Sequence, residues 1–492
     1  VSEQERKDRR ERLEALRQAG VDPYPARVGA FVPLSRVIAE HDQKTESALE
    51  EERPATCVVG RIVARRSFGK LLFLRLFEAG EGLQVTASKA ELSEQDFAFV
   101  QQLDVGDFVR VEGRVWRTKR GELSVAAGRV EMLAKSLRAL PEKWHGLQDV
   151  EARYRQRYLD LLANPEARSI AIARARTVTA LRSFLDARGF LEVETPVLQP
   201  IYGGGSARPF TTHHNSLDQT LYLRIADELY LKRLVIGGLD RVYEIGHSFR
   251  NEGISRKHNP EFTMLECYQA FADYEDMMDL AQDMIQHAAR EAFGGTRVRY
   301  GDQELEFGGS WPRRSLCGAI KAATGVDVLA APELPALRKA VREQGLDPGD
   351  APTWGRLVDD LLSQHVEPTL MQPTFLTDYP VELSPLAKSS PGNPQLVERF
   401  EIFVAGIEIG NAFSELNDPD EQRRRFEEQA RAAQAGDEGA HPMDEDYLRA
   451  LEHGLPPTGG LGVGVDRLVA VLTGSPNLRE VILFPHLRPE SR

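Results

Sequence analysis

The segment from Tyr243 to Tyr268 constrains this chain more than any other. It reads Tyr243-Glu244-Ile245-Gly246-His247-Ser248-Phe249-Arg250-Asn251-Glu252-Gly253, continues as a polar loop to His258, and resumes as Asn259-Pro260-Glu261-Phe262-Thr263-Met264-Leu265-Glu266-Cys267-Tyr268. Residues of high β-propensity on either side of a polar stretch predict strand, loop and antiparallel strand. With a side-chain period of two, Phe262, Glu266 and Tyr268 share one face of the return strand. A carboxylate between aromatic rings on an otherwise apolar strand is costly to bury without a cationic or hydrogen-bonding partner. That face suits an aromatic stack for a base and an acidic seat for an amine.

A second string, Gly459-Gly460-Leu461-Gly462-Val463-Gly464-Val465-Asp466-Arg467-Leu468-Val469, predicts a glycine-rich strand running into an amphipathic helix with Arg467 in its first turn. Glycines allow close approach of a ligand or another backbone, and a phosphate at this point would meet a guanidinium as well as a helix N-terminus. Upstream, Arg176 to Arg188 places Val178, Leu181, Phe184 and Leu185 on one helical face ended by Gly189, and Phe190-Leu191-Glu192-Val193 begins a strand toward Thr195-Pro196.

The N-terminal part has a different texture. Ser2 to Arg17 predicts a solvated charged helix, stopped by Gly20 and Asp22-Pro23-Tyr24-Pro25. Short strands are predicted over Cys57 to Ala64, Leu71 to Phe77, Leu83 to Thr86, Phe108 to Val115 and Leu123 to Leu133, with a helix within Lys89 to Gln102. Five strands with a helix after the third match an OB-fold barrel, a frequent binder of single-stranded nucleic acid. Charge supports the division: the chain carries a net −13, yet Ala55 to Leu140 hold fourteen Lys and Arg against ten Asp and Glu. Arg61, Arg65 and Arg66 lie near Phe68 and Phe73 in sequence, cations beside rings on which bases can stack. The three cysteines, Cys57, Cys267 and Cys317, form no C-x-x-C pair and support neither a disulfide framework nor a zinc cluster. No stretch approaches the ~18 uninterrupted apolar residues of a membrane span, and the first residues lack the apolar core of a signal peptide, so the expected location is cytoplasmic, without a membrane partner.

With Gly189-Phe190-Leu191-Glu192-Val193-Glu194-Thr195-Pro196, the strings above resemble the three signature motifs of class II aminoacyl-tRNA synthetases. Gly203-Gly204-Gly205-Ser206-Ala207-Arg208-Pro209-Phe210, Tyr222-Leu223-Arg224-Ile225-Ala226-Asp227-Glu228-Leu229-Tyr230-Leu231-Lys232-Arg233 and Gly410-Asn411-Ala412-Phe413-Ser414-Glu415-Leu416-Asn417 are similar to those of bacterial-type lysyl-tRNA synthetases, in subclass IIb. The resemblance covers nearly the whole chain. It implies an α+β protein with a helical extension over 1–52, an OB-fold anticodon-binding domain over 53–140, a hinge over 141–163, and over 164–492 a catalytic domain with a mainly antiparallel sheet flanked by helices. His-Ile-Gly-His, Lys-Met-Ser-Lys-Ser and a Walker A loop are all missing from the sequence.

The resemblance also implies roles. Arg250 would bridge the α-phosphate of ATP and the carboxylate of L-lysine, and Arg467 would hold the γ-phosphate with His258 near the leaving pyrophosphate. Phe262 would stack on adenine and Glu252 would help to read it. Glu401 and Glu408 would bind Mg²⁺, a hard cation suited to oxygen ligands. Glu228 and the Gly204 backbone would receive the α-amine, and Glu266, Tyr268 and Glu415 the ε-ammonium. Asn411 would fix the carboxylate, with Phe413 in the same pocket. Arg65, Phe73 and Gln84 match the positions that read a lysine anticodon, so tRNA(Lys) is the implied partner, and the first motif implies a homodimer with Pro196 against the partner's site. Gly205 stands where alanine is expected, and His247-Ser248 where Arg-Asn or Arg-Gln is usual.

Three other readings compete. Aspartyl- and asparaginyl-tRNA synthetases share the layout, but an acidic substrate needs a cation where this sequence offers Glu266, Glu415 and Tyr268. A decayed, nonenzymatic RNA binder should have lost Arg250, Arg467, Glu401 and Glu408. Paralogues that ligate lysine to a protein lack the OB domain.

Sheet geometry makes one sharp demand. Phe400 to Val404 and Ile407 to Glu415 predict a hairpin about Ala405-Gly406. Pairing Phe403 with Glu408 sets Glu401 and Glu408 on one face, but strict alternation would send Asn411, Phe413 and Glu415 to the other. An irregularity at or next to Gly410 is therefore required.

Overall fold

The computed structural model describes residues 3–141, 147–205, 207–434 and 442–490. Part of the expected hinge, residues 142–146, lies outside them, as do Ser206 and residues 435–441. The chain divides into two compact units, residues 1–153 with 158–165, and residues 154–157 with 166–492.

In the first unit, Ala55–Phe68 (β1), Leu71–Glu78 (β2), Glu81–Ser88 (β3), Phe108–Arg117 (β4) and Leu123–Ala134 (β5) close a barrel in the order β1-β2-β3-β5-β4. The helix Glu94–Gln101 follows the third strand, capped by Ser93. Alternation builds the barrel core: Leu72, Leu74 and Leu76 of β2 are buried while their odd-numbered neighbours face outward. β1 runs four residues beyond the predicted Ala64, because Arg65 to Phe68 continue the ladder opposite Leu74 to Leu71. The helix Glu3–Gln18 is solvated over most of its surface, as expected, with a narrow buried stripe. Leu13 and Leu16 are buried, and so is Arg9, which donates to the carbonyls of Val105 and Ser136 at 3.0 and 3.2 Å.

In the second unit a nine-stranded sheet carries the fold. Its strands are Leu191–Glu192 (β6), Arg241–Phe249 (β7), Glu261–Ala270 (β8), Arg313–Ser315 (β9), Thr374–Pro380 (β10), Ser389–Ser390 (β11), Asn393–Val404 (β12), Ile407–Ser414 (β13) and Thr458–Gly464 (β14). They are ordered β9-β10-β12-β13-β14-β8-β7-β6, with β11 beside β12. Pairing is antiparallel except for β6 on β7 and β9 on β10. Two long helices share a core with the sheet. Pro165–Asp186 contributes Leu181, Phe184 and Leu185, the face predicted from its period, and Tyr274–Phe293 contributes Met277, Ala281, Met284, Ile285 and Ala288. The second begins in a capping box of Asp273 and Asp276 and ends at Gly294 with φ 78°. A separate cluster around Leu316, Leu337, Trp354, Leu357 and Phe403 packs the short helices of residues 316–366. The architecture is α+β, a barrel followed by a helix-flanked mixed sheet.

Candidate active site

The strands of the second and third motifs meet β13 in the middle of the sheet. β8 pairs with β14, and β14 with β13, so that Glu266, Gly462 and Asn411 form one cross-sheet row and Tyr268, Gly460 and Phe413 the next. Large side chains thus lie on either side of glycines, and the missing side chains of β14 leave the space of a cleft of about 430 Å³. A Cβ at Gly460 would lie 2.5 Å from Tyr268 Cε1 and would also strike Glu415 Oε1. The glycine-rich run therefore empties a pocket between two strands instead of merely easing a turn.

One end of the cleft is acidic. The helix Glu228–Ile236 places Glu228 and Lys232 one turn apart, and Lys232 Nζ donates to Glu228 Oε1 at 2.5 Å. The same ammonium pairs with Glu415 Oε2 and lies 5.3 Å from the Phe413 ring and 6.0 Å from the Tyr268 ring. Lys232 is fully buried. Burial pulls its pKa down, but Glu228 and Glu415 outweigh that and raise it, so it stays charged. Beside this triad Tyr268 donates its hydroxyl to Glu266 Oε2 at 3.1 Å. Burial, then the neighbouring Asp227 carboxyl, lift the pKa of Glu266 well above the carboxylate range. Gly204, with φ 81°, meets Glu228 here: a Cβ on it would lie 3.0 Å from the Cβ of Glu228.

The other end is basic and aromatic. Arg250 lies over Phe262, with 5.1 Å between its guanidinium carbon and the ring centroid, and its Nε is buried without a hydrogen-bond partner. Glu252 and His258 line the same end, His258 through Nδ1 at 2.9 Å from Ser255 Oγ. Arg467, just inside the helix Val465–Leu472, donates to the carboxylate and to the carbonyl of Glu408, both at 2.8 Å.

Between the two ends the demanded irregularity is present. Phe403 pairs with Glu408 and Ile402 with Gly410, so Ile409 is the extra residue, and beyond it Glu401 faces Asn411 and Arg399 faces Phe413. The turn uses Ala405 at φ 55° and Gly406 at φ 66°. Glu408, Asn411, Phe413 and Glu415 all line the cleft, whereas Glu401 does not. Its carboxylate accepts from Arg399 Nη2 at 2.7 Å, and burial, then the charge of Glu408, push its pKa up to about 7. Arg399 also donates to Asn411 Oδ1 at 2.8 Å, which leaves the amide nitrogen of Asn411 to donate.

The motifs brace one another through buried ion pairs. Arg174, on the helix Pro165–Asp186, bonds Asp466 Oδ1 at 2.5 Å and Thr263 Oγ1 at 2.9 Å, and Asp466 Oδ2 accepts from the Thr263 amide at 2.9 Å. Arg224 bonds Glu244 at 2.5 Å, and Glu244 in turn accepts from the amide and hydroxyl of Thr195 at 3.0 and 2.7 Å. Each motif is thereby fixed relative to the next.

A model of class II tRNA synthetases (D, K and N) matches residues 149–488, and one of OB-fold nucleic acid binding domains matches residues 56–133. A lysine–tRNA ligase of Roseiflexus castenholzii is 55% identical over 480 residues, 97% of either chain. Those of Chloroflexus aurantiacus and Bacillus subtilis are 52% and 46% identical, over 98% of this chain and 97% and 96% of theirs. The chain belongs to the lysine–tRNA ligase family.

Within this lysine–tRNA ligase fold, thirteen of the fourteen expected residues of the catalytic unit line one cleft, Glu401 being the exception. The barrel residues divide differently. Register sets Arg66 and Thr86 on either side of Phe73, with Gln84 two residues along the same outward face. Phe68 is 66% exposed and meets Phe73 edge to face at 5.8 Å. Arg65 instead lies opposite Leu74 and donates to the Gln101 carbonyl at 2.8 Å, while Gln84 donates to Ser124 Oγ at 2.8 Å. The strand irregularity between Ile62 and Ala64 is what turns Arg66, rather than Arg65, toward the rings.

Four participants escaped the sequence reading: Lys232, Asp227, Arg399 and Lys257. The four-residue spacing of Glu228 and Lys232 on a predicted helix is a legible ion-pair signal. Arg399 stands two residues from Glu401 on the same strand face. Lys257 lines the cleft and donates to the Gly406 carbonyl at 2.8 Å, tying the motif loop to the β12–β13 turn. The two departures from the family pattern are mild. A Cβ at Gly205 would meet Arg250 Nη2 at 3.6 Å, an ordinary contact, and His247 Nδ1 sits 2.9 Å from Glu261 Oε1 on the surface.

Proposed function

We propose that the protein activates L-lysine with ATP as lysyl-adenylate and transfers the lysyl group to the 3′ end of tRNA(Lys). The observation that carries this reading is the surplus of buried carboxylate at the closed end of the cleft: Asp227, Glu228, Glu266 and Glu415 stand against the single ammonium of Lys232. An amino acid whose side chain ends in a cation fits that surplus, and an acidic or amide side chain does not.

The chemistry follows from the order of groups along the cleft. The ε-ammonium sits against Glu266 and Tyr268, with Glu415 behind, and the α-amine against Glu228 and the Gly204 backbone. Asn411, oriented by Arg399, donates to the carboxylate. Arg250 lies between that carboxylate and the α-phosphate, and its charge offsets the negative charge that gathers as a carboxylate oxygen attacks phosphorus. The bond to the β-phosphate breaks and pyrophosphate leaves past Arg467 and His258. Phe262 stacks on adenine, against which Glu252 rests. Glu408 in the cleft and Glu401 behind it share one face of the β12–β13 hairpin, and these hard oxygen donors would hold Mg²⁺ by giving up their bonds to Arg467 and Arg399, the metal supplying neutralisation of phosphate charge. The terminal hydroxyl of tRNA then attacks the carbonyl and AMP departs.

Residues 53–140 serve in this reading as the anticodon-binding domain and 164–492 as the catalytic domain, joined by a hinge over 141–163. Phe73 and Phe68 form a stacking platform flanked by Arg66, and Gln84 lies on the same face. No described helix is long and apolar enough to cross a membrane, which accords with a cytoplasmic enzyme of translation.

Pyrophosphate exchange with each of the twenty amino acids tests the substrate. Lysine is the expected partner, and exchange with aspartate or asparagine in its place would overturn the reading. The working unit is a homodimer: Leu191 of the first motif and Val197 and Leu198 just after it are 52%, 40% and 47% exposed in the single chain, apolar side chains on the segment around Pro196. Sedimentation at micromolar concentration should give the dimer mass, and a fully active monomer would exclude this arrangement.

A further inference from the structure

An asparagine side chain has a donor end and an acceptor end of nearly the same shape, so nothing in Asn411 itself decides which of them meets a ligand. Arg399 decides it. Its Nε donates to Asn411 Oδ1 at 2.8 Å, and because a guanidinium has donors only, the opposite orientation would set two donors face to face. The nitrogen is the end left for a ligand in the cleft that Asn411 lines.

Arg399 is itself built into place. Its side chain is 15% exposed; Nη1 donates to the Leu383 carbonyl at 2.6 Å and to Ser384 Oγ at 2.8 Å, and Nη2 donates to Glu401 Oε1 at 2.7 Å. The Tyr379 ring covers the guanidinium, 4.5 Å from its carbon to the ring centroid. Two strand irregularities bring these groups to one face. The pairing of β10 with β12 slips between Thr377 and Tyr379, at Asp378 with φ 59°, so that Tyr379 lies opposite Val397 and shares the face of Arg399 and Glu401. A non-glycine residue at that φ is strained, and such strain persists where the surrounding structure fixes it. In β13 the extra residue Ile409 does the same for Asn411, since an unbroken ladder would pair Asn411 with Phe400, whose ring lies in the core on the other face. Arg399 does not line the cleft. It acts through Asn411.

We propose that Arg399 is a positioning residue that sets the polarity of the lysine pocket: holding Asn411 Oδ1, it turns the amide nitrogen to the substrate carboxylate and makes the pocket select the amino acid over the diamine that lacks the carboxyl group. The inference rests on the lysine reading of the site. A pocket with one seat for an ε-ammonium and another for an α-amine fits 1,5-diaminopentane as well as lysine, because both molecules carry two ammonium groups on the ends of the same five-carbon chain. The carboxylate alone tells them apart. Arg250 meets that group with charge, and the Asn411 amide adds a donor only while its nitrogen faces the cleft. Turned over, the amide would set its oxygen against a carboxylate oxygen and repel it.

Calorimetric titration of L-lysine and of 1,5-diaminopentane into the full-length protein, without nucleotide or metal, gives the ratio of the two affinities. In Arg399→Met that ratio should fall about tenfold, the weight of one hydrogen bond to a charged group, with diamine affinity unchanged. A merely structural role would weaken both compounds alike and leave the ratio where it was. Arg399→Met also leaves the Glu401 carboxylate without its cation, so the ratio is read again in Arg399→Met/Glu401→Gln, where the same fall is expected. Glu401→Gln alone keeps the bond between Arg399 and Asn411 and should keep the wild-type ratio. A wild-type ratio in the double variant overturns the proposal, whether or not the single variant folds, and so does an equal fall in Glu401→Gln alone. Failure of lysine to bind the wild type would instead overturn the substrate reading beneath it.

Discussion

Lys232→Met is expected to destabilise the catalytic unit by about 3–5 kcal/mol, the cost of breaking a buried ion pair from one side. Lys232 is fully buried and bridges Glu228 and Glu415. Removing it strands two carboxylates among the rings of Phe413 and Tyr268. The sign of the pH dependence follows from Glu415, whose pKa burial raises while Lys232 holds it down. Without Lys232 the folded-state value rises further, so stability lost in the variant grows as pH increases above the ordinary carboxylate range and shrinks in mild acid. Urea unfolding at about pH 5 and about pH 8 measures both magnitude and slope. Wild-type stability in the variant at the higher pH would mean that the triad is not the counter-ion arrangement described here.

Glu266→Gln should separate the two substrates. Removing a carboxylate beside a desolvated ammonium costs on the order of 2–5 kcal/mol, or roughly 30- to 5,000-fold in lysine affinity. ATP affinity should change little, because Phe262, Arg250 and Arg467 lie at the other end of the cleft. Folding should tolerate the change, since glutamine is nearly isosteric and the Tyr268 hydroxyl can still donate to its amide oxygen. Calorimetric titration of each substrate decides the matter, and equal losses for both would place Glu266 outside the lysine pocket.

These two residues differ in how far the sequence revealed them. Glu266 was legible because a carboxylate at an alternate position between Phe262 and Tyr268 breaks an apolar strand face, and only function or a partner explains such a break. Lys232 lies in a helical string where its spacing to Glu228 marks an ion pair, but no local pattern shows that Glu415 closes the triad from a distant strand. The irregularity next to Gly410 shows how strong local geometry can be: period-two alternation conflicted with the grouping of Glu408 and Asn411, and the structure resolves it with Ile409 as the extra residue. The helix Glu3–Gln18 shows the opposite. Its alternating charges predicted a solvated surface helix, which it largely is, but the burial of Arg9 depends on backbone carbonyls at Val105 and Ser136 that no helical pattern contains.

By itself the sequence determined which groups this protein has and where local periodicity points them: the five barrel strands, the long helix before the first motif, the antiparallel motif strands, and the aromatic, acidic and basic residues they carry. Those features depend on neighbours two to four residues away, which is the range of strand alternation and helical turns. Only the tertiary structure decided which partner each charged group takes. Glu415 bonds Lys232, Glu401 bonds Arg399, Glu266 bonds Tyr268, and Arg66 rather than Arg65 stands beside Phe73. Such pairings join residues far apart in the chain and depend on distance, burial and register through space. They fix which carboxylates remain for a ligand and which are already satisfied by the fold.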